Sequence, residues 1–568
     1  MDGYLQERRL LQLDTVLDKD QMILVSVAGV DRISALFAYD LDLVSTEPDL
    51  KPDDLLGSSM TVYLHPYHDQ NPVSIDGIVS VFAADGTNNH GLHHYRARLV
   101  PALWLLTRTS DCRIFQDLSV RDIVDKVLTD YGITRREWKL AGDHIARDYC
   151  VQYRETAFNF ICRLLEEEGI SFYFRQDKDG HTLVLCDYNH GFAPCASASV
   201  PIEPDDRLRY GIWDWKRTYH LRSAKWALED YNFETPSSDL LSRQNTVNSV
   251  LKKRPLEMYD YPGRFQKSDS GDALTKLRIE YEEAAYQEIS GESGCTGFAA
   301  GGCFKLANPL PGDADQEFLI TEVHHTAEDL ALMVTDRKPS YSNSFRCVPR
   351  ATPYRPPMQT RRPHIRGTQT AVVTGPAGSE IFTDKYGRIK VQFHWDRYGK
   401  KDEHSSCFIR VAQVWAGKGF GGIFLPRIGQ EVVVSFQEGD PDQPLVVGSV
   451  YNAEQTVPYG LPGNQTQSGM KTHSSMGGST ANFNELRFED KKGSELVTLH
   501  AEKDLETAVE NDASHWVGHD ETTAVDHDRT EHVKHDETIT IDNNRTETVH
   551  ANETITIDKN RTETVHAN

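Results

Sequence analysis

The sequence predicts a mainly β protein with some α-helix, which contains an OB-fold barrel and ends in an intertwined trimeric triangular β-helix, or β-prism. Three observations predict this fold class. Strand-like alternation dominates the first 365 residues, a segment from residue 371 alternates short apolar strands with Gly, Pro and Asp turns, and the last 60 residues repeat with a period of eight. A chain of 568 residues is too long to fold around a single hydrophobic core, so its length indicates three or four domains.

The composition argues against nucleic acid as a partner and against an oxidising compartment. The 61 basic and 85 acidic residues give a formal net charge of −24, which repels a phosphate backbone, so nucleic acid is not a predicted partner. Nine cysteines without a C-x-x-C pair indicate reduced thiols, and Cys150, Cys162 and Cys186 stand in apolar runs typical of a core. Neither a signal peptide nor an apolar run long enough for a membrane span is present.

Residues 1–365 form the first predicted domain. Amphipathic helices are predicted at "SVRDIVDKVLTDYG" and "TAFNFICRLLEEEG", which end on Gly132 and Gly169 as helices commonly do. The second helix carries Glu166, Glu167 and Glu168 at its C-terminus, where the helix dipole disfavours acid. We interpret this run as a solvated face or a docking contact and not as a catalytic cluster.

Residues 371–455 form the predicted OB-fold domain. Alternating strands are predicted at Ile389–His394, Phe408–Val414, Glu431–Phe436 and Leu445–Val450. About 80 residues with strands at this spacing fit a small barrel of the OB type. Residues 456–492, rich in Gly, Ser, Thr and Asn, are the predicted connector, which is too short to hold a catalytic domain.

The final domain, 493–568, is an array of octads that we call the needle, and we expect the array to continue in the natural chain. A β-branched apolar residue opens each octad, and Asp or Asn follows three places later in all eight. Thr-rich alternation between them predicts one short strand and one corner per octad, with the corner at Asp or Asn. The apolar positions, predicted to lie on the trimer axis, are Val509, Val517, Val525, Val533, Ile541, Val549, Ile557 and Val565.

A second period, of sixteen residues, runs through the needle. One position alternates in sign from octad to octad, which predicts an inter-strand charge ladder worth about 0.2–1 kcal/mol per pair if successive octads stack. A slip by one octad would bring like charges together, so the pattern also fixes the register. The ladder positions are Glu521, Arg529, Glu537, Arg545, Glu553 and Arg561.

Energetics indicate that one chain cannot form this structure alone. An octad buries one or two β-branched side chains, worth about 1.5–3 kcal/mol each, whereas ordering eight backbones costs roughly 8–16 kcal/mol. Three chains that wind into a triangular prism would bring the valines together and leave no lateral sheet edge. With a strand spacing near 4.8 Å the prism would be roughly 36 Å long. The alternative is a disordered acidic tail, but disorder does not require an apolar residue at every eighth place.

Several long motifs resemble one known family. The runs "GPAGSEIFTDKYGRIKVQFHWDR", "RVAQVWAGKGFG" and "PRIGQEVVVSFQEGDPDQPLVVGSVYN", with "YDYPGRF" and "CVQYRETAFNFICRLLEEEGI", resemble the VgrG spikes of bacterial type VI secretion over essentially the whole chain. The resemblance implies a phage-hub-like domain of β-barrels and helices before the OB barrel and the trimeric needle. The glycine of the family's valine-glycine repeat is almost absent here.

The resemblance also implies a function and partners. A homotrimer would sit on a tube of Hcp hexamers, carry a PAAR protein and an effector or adaptor at its needle end, and contact the target membrane transiently when sheath contraction drives it into a neighbouring cell. The chain would be cytoplasmic before firing and then leave without a signal peptide. The alternatives are a spike with an enzymatic effector domain beyond residue 568, and a phage-type tailspike or hub with cell-envelope hydrolase activity.

No catalytic, cofactor-binding or metal-binding residue is predicted. Gly417, Gly419 and Gly422 match G-x-G-x-x-G, but strand character and Pro426 follow where a dinucleotide site needs a helix. His394 lacks a nucleophile elbow, and "VHHTAED" lacks the His spacing of a zinc protease. The needle histidines do not predict an axial metal, and those directly after a valine are expected to face solvent. From Val509 to the end of the sequence, the histidines are His515, His519, His527, His532, His535, His550 and His566.

Overall fold

The computed structural model describes residues 5–7, 9–65, 72–87, 91–177, 179–203, 210–330 and 337–566. The first domain holds 20 strands in these ranges. They are β1 (Leu11–Asp14), β2 (Ile23–Arg32), β3 (Ala38–Ser45), β4 (Ser59–Leu64), β5 (Val73–Thr87), β6 (His93–Val100), β7 (Ser110–Phe115), β8 (Arg136–Lys139), β9 (Cys150–Thr156), β10 (Ser171–Asp177), β11 (Gly180–Cys186), β12 (Ala193–Val200), β13 (Ile212–Tyr219), β14 (Lys225–Leu228), β15 (Ser242–Asn245), β16 (Glu257–Asp260), β17 (Gln287–Ser293), β18 (Gly302–Leu306), β19 (Glu317–Glu328) and β20 (Ser340–Pro349).

One large sheet dominates this domain. Its strands follow the order β1-β4-β5-β6-β3-β2-β19-β20-β17-β13, and β18 joins β12 to β19. The central pairings are antiparallel, and β19 connects distant parts of the chain because it pairs with β2 through contacts such as Val323 to Asp31. Smaller sheets are β10-β11-β8, β15-β14-β16 and β7-β9. Alternating apolar side chains from the large sheet line the main core, in which Leu24, Leu41 and Leu99 are fully buried.

Both predicted helices of the first domain are confirmed. The helices are α1 (Pro52–Leu55), α2 (Val120–Asp130), α3 (Ala157–Glu167) and α4 (Ser268–Ala284). Ser119 and Asp122 form a reciprocal capping box at the start of α2. Gly132 and Gly169, just beyond α2 and α3, adopt φ values of 72° and 68°, a left-handed conformation that suits glycine at a helix end. In the described part of the chain, no helix combines the length and apolar character that a membrane crossing requires.

The barrel segment contains β21 (Gln369–Thr374), β22 (Lys390–Phe393), β23 (Trp415–Ala416), β24 (Gly421–Gly422), β25 (Glu431–Phe436) and β26 (Pro444–Val450). Its main sheet has the order β22-β21-β25-β26 around a separate apolar core that includes Val391, Val432 and Val446. The prediction of a continuous strand at Phe408–Val414 is wrong. That segment instead makes isolated bridges, Ile409 to Ile389 on one side and Val411 to Val446 on the other, because it spans the gap between the two edges of the sheet.

The last part of the chain changes character. Three antiparallel strands, β27 (Gln467–Lys471), β28 (Glu485–Glu489) and β29 (Leu496–His500), form a small sheet that we call the connector sheet. From residue 501 to residue 566 the backbone runs without strand pairing and bends sharply once every eight residues. The period predicted from the sequence is therefore present in the backbone of a single chain.

Candidate assembly surface

The eight predicted axial residues of the needle lie uncovered in the single chain. Their exposed fractions run from 39% at Val517 to 74% at Val565. The first domain and the barrel, in contrast, bury their β-branched residues almost completely, as Val62 and Val432 show. A regular row of exposed apolar side chains requires a partner surface, because soluble proteins rarely leave such a row in contact with water.

From residue 501 onward, the needle backbone also lacks hydrogen-bond partners among the other backbone groups of the chain. Within residues 501–566 no backbone N–H donates to a backbone carbonyl of the chain. An extended chain of this length whose backbone N–H and C=O groups do not pair with other backbone groups is an incomplete sheet. The backbone bends at the first and second residues after each of the first seven apolar positions, for example at Asp542 and Asn543 after Ile541. The corner therefore comes just before the Asp or Asn at which the sequence predicts it.

The ladder charges do not meet within one chain. Each ladder arginine pairs instead with the glutamate two residues further on, and the N–O distances are 2.8 Å for Arg529 and 3.1 Å for Arg545. Among the described residues, no ion pair links ladder positions in successive octads of the same chain. The six ladder positions stay a prediction about contacts between chains.

A second uncovered apolar group lies on the barrel. Strands β23 and β24 form a tight hairpin around Gly417 and Gly419, and Trp415 meets Phe420 edge to face at 5.5 Å. Val414, 85% exposed, and Ile423 flank this pair in solvent. No helix follows the glycines in the fully described segment from 417 to 436, where the next strand is β25. The G-x-G-x-x-G match therefore belongs to a hairpin that exposes apolar side chains.

The hairpin is linked to the path towards the needle. Arg427, a few residues beyond its end, donates to the His473 carbonyl at 2.7 Å and to Ser475 Oγ at 2.9 Å. The connector sheet that follows also exposes apolar side chains, among them Val497 and Leu499. The barrel hairpin, the connector sheet and the eight predicted axial residues of the needle all expose apolar side chains. We call these three groups together the assembly surface.

Buried charges join the first domain to the barrel. Glu167 on α3 is only 6% exposed and contacts Arg362 at 2.5 Å, and Arg362 in turn reaches Asp440 of the barrel at 3.2 Å. Burial by itself raises the pKa of Glu167, but the guanidinium groups of Arg362 and the nearby Arg147 outweigh it and hold the pKa well below its usual range. Burial, reinforced by Asp440, raises the pKa of Asp442 to about 6.

The other two glutamates at the end of α3 also have partners. Glu166 accepts hydrogen bonds from the Gln359 and Thr360 amides, and Glu168 contacts His144 at 3.0 Å. Hydrogen bonds that His144 donates to the carboxylates of Asp187 and then Glu168 raise the pKa of His144 to about 9. The interpretation of the acidic run as a docking contact is correct, and the solvated-face alternative is wrong. Sequence reasoning missed the contacts with Gln359, Thr360 and Arg362 because these residues lie almost 200 positions further along the chain.

The residues considered for catalysis occupy structural positions. His394 is largely exposed and its Nε2 lies 3.0 Å from Thr370 Oγ1, while the neighbouring Trp395 stacks on Phe393 at 5.1 Å. All nine cysteines are unpaired, and Cys150, Cys162 and Cys186 are buried as predicted. Within one chain, the described residues contain no group of three or more His, Cys, Asp or Glu side chains placed to hold a metal ion.

Three family profiles match the chain, one for each part. Residues 30–331 match the phage tail baseplate hub (GPD), residues 379–451 the type VI secretion system/phage-baseplate injector OB domain, and residues 468–568 the bacteriophage T4 gp5 C-terminal trimerisation domain. The predicted fold class is confirmed by these matches. The trimerisation profile covers the connector sheet and the whole needle, which are most of the assembly surface.

Curated relatives from Pseudomonas aeruginosa are similar over most of the chain. The type VI secretion system spike protein VgrG1b is 45% identical over 91% of this chain and 70% of its own length. VgrG1c is 43% identical over 91% and 72%, and VgrG1a is 43% identical over 91% and 81%.

Solved structures share the fold. An E. coli component of the type VI secretion system, described as similar to the T4 tail proteins gp27 and gp5, has a TM-score of 0.57 at 21% identity and covers 77% of this chain and 100% of its own. The VgrG-containing structure of the Francisella PdpA-VgrG complex has a TM-score of 0.56 at 10% identity over 88% and 81%.

Proposed function

The chain belongs to the VgrG family of type VI secretion spike proteins, and we propose that three copies of it form the spike that leads a contractile secretion tube. The assembly surface carries this proposal, because it is the feature that a single chain leaves unfinished. Each uncovered apolar residue of the needle would face its two symmetry copies on a common axis. The unpaired backbones would complete one another's hydrogen bonds between chains.

The geometry of three chains accounts for the two periods of the needle. If each bend carries a chain from one face of the prism to the next, neighbouring rungs on any face come from different chains and from successive octads. Glu537 of one chain would then lie between Arg529 and Arg545 of the others. The sixteen-residue alternation is the pattern that such stacking requires, whereas the isolated chain gains nothing from it.

The barrel hairpin extends the contact between copies. Trp415 and Phe420 would pack on a neighbouring chain close to the threefold axis, continuous with the connector sheet and the needle. Aromatic side chains of this size bury about 150–250 Å² each and dominate interface energies. The buried bridge from Glu167 through Arg362 to Asp440 would hold the barrel rigidly on the first domain.

The placement of partners follows from this architecture. The first domain, at the wide end, would sit on the Hcp tube, and the needle end would carry a PAAR protein with an effector or adaptor. On sheath contraction the needle would breach the target membrane. The protein would be cytoplasmic before firing and would then be exported by the secretion tube. Export by this route requires no signal peptide. This is a mechanical role, and the proposal assigns no catalytic residue to the chain.

An export experiment tests the proposed function. In the source cell, we would replace the chain with one that ends after His500, which keeps the connector sheet and removes the needle. The tube protein and the spike should then disappear from the culture medium while both remain at normal levels inside the cell. A matched Arg98→Ala variant, which removes one exposed pair with Asp40, should export normally. Full export without the needle would contradict the proposal.

A further inference from the structure

Three consecutive octads carry a His–Asp pair at the needle corner. In each, imidazole Nδ1 lies 2.8–2.9 Å from the carboxylate of the next residue, and the imidazole side chain is 92–93% exposed. A carboxylate only accepts hydrogen bonds, so Nδ1 is the donor in each pair and Nε2 is the ring nitrogen left for another ligand. The pairs are His519–Asp520, His527–Asp528 and His535–Asp536.

The sequence couples the two members of the pair. Three places after the apolar residue, the last four octads have Asn in place of Asp. In none of these octads is the residue directly before that Asn a histidine. Asn makes a turn as well as Asp does, so the turn alone does not require Asp in the earlier octads. The Asn positions are Asn544, Asn552, Asn560 and Asn568. Asp512, preceded by Asn511, is the one Asp without a histidine.

The proposed three-chain prism brings these pairs together, and the inference rests on it. Because neighbouring rungs belong to successive octads of different chains, each edge of the prism would carry one His519, one His527 and one His535. The rungs lie about 4.8 Å apart. The three carboxylates would stack in the same column, where like charges on adjacent strands are destabilising. A cation bound between the rungs would remove that repulsion.

The imidazoles have the arrangement of metal ligands. Ligating histidines almost always donate the other ring N–H to a carboxylate, which fixes the tautomer and the ring orientation. Zinc binds neutral imidazole nitrogen at about 2.0–2.1 Å, and side chains from adjacent rungs can converge on one ion. We propose that each edge of the needle binds one divalent transition-metal ion, such as Zn²⁺, through imidazoles of three different chains. A trimer would hold three ions, which pin the chains to one another.

Zinc titration of the 568-residue protein tests this inference. The protein is stripped with EDTA, its mass is measured by light scattering, and zinc binding is then measured by calorimetry and by metal analysis after gel filtration. We expect three ions per trimer and a higher melting temperature of the needle with zinc. His527→Gln should abolish this binding, and Asp528→Asn should weaken it about 10–100-fold. The control His550→Gln with His566→Gln, which removes two histidines outside the pairs, should bind as the unmodified protein does.

The outcomes separate this inference from the proposed function. A particle of three times the chain mass that binds no zinc, or binds it equally well with His527→Gln, overturns the metal site and leaves the spike intact. An unmodified protein that is monomeric contradicts the proposed function and removes the basis of the metal site with it. Binding of three ions by the trimer, lost with His527→Gln and kept in the control, supports both.

Discussion

The first domain and the needle solve the problem of burying apolar residues in opposite ways. The first domain closes its core within one chain through strands far apart in the sequence, as when β19 near residue 320 pairs with β2 near residue 30. The needle has the same β-branched residues at regular intervals but leaves all eight uncovered. The difference teaches that a repeat can specify an assembly without specifying a fold of the single chain.

The largest expected effect comes from charges on the predicted axis. Val533→Asp with Val549→Asp would bring three carboxylates together in each of two layers, where burial of each unpaired charge costs several kcal/mol. We expect the needle to lose its melting transition while the first domain and barrel melt as before, which calorimetry measures. The control, His532→Asp with Thr548→Asp, alters the preceding residues and should retain the transition. An unchanged needle transition in the valine variant would remove these valines from the axis.

The buried bridge provides the next largest effect, and it concerns the region that folds within one chain. Arg362→Ala leaves Glu167 and Asp440 buried without their shared partner, which should cost about 3–5 kcal/mol of unfolding free energy. Denaturant unfolding of the first domain and barrel measures it. Arg98→Ala removes an exposed pair with Asp40 and should cost less than about 1 kcal/mol. Equal effects of the two variants would mean that the bridge does not hold the domains together.

The charge ladder gives a smaller effect that distinguishes contacts within a chain from contacts between chains. Glu537→Arg would place like charges on three successive rungs and should destabilise the needle by about 0.2–1 kcal/mol per contact, more at low salt. Glu531→Arg breaks the pair that Arg529 makes within its own chain. The needle melting temperature should fall more for Glu537→Arg, and the reverse order would contradict the ladder.

An effect of similar size is a pH dependence at the end of α3. The folded state raises the pKa of His144 to about 9, above its ordinary value near 6.5, so the stabilisation is complete below pH 6.5 and is lost as the pH rises through 9. We expect the free energy of unfolding to fall by about 1–2 kcal/mol across this window. A fully buried histidine with the same pKa shift would give a larger change. Unfolding curves of the native protein and of His144→Gln should converge at pH 9.5. A constant difference between them across the window would argue against this assignment.

Sequence patterns predicted the parts of the molecule whose signals are local. The octad period, three of the four predicted barrel strands and the helices before Gly132 and Gly169 each follow from spacing within 30 residues. Helix α4 was missed because polar residues such as Thr275 and Glu280 occupy its buried face, so it has no apolar stripe. The bridge from Glu167 to Arg362 and Asp440 was missed for a different reason, since nothing close in the sequence marks charged residues that meet in the fold.

The mass of the particle in solution tests the central claim most directly. Light scattering should give three times the 64.2 kDa of the chain for the 568-residue protein, independent of concentration. A chain that ends after His500 should give a lower or concentration-dependent mass while its circular dichroism still reports folded β structure. A 568-residue protein that stays at 64.2 kDa would contradict the account, because the exposed apolar residues of the needle would then have no partner.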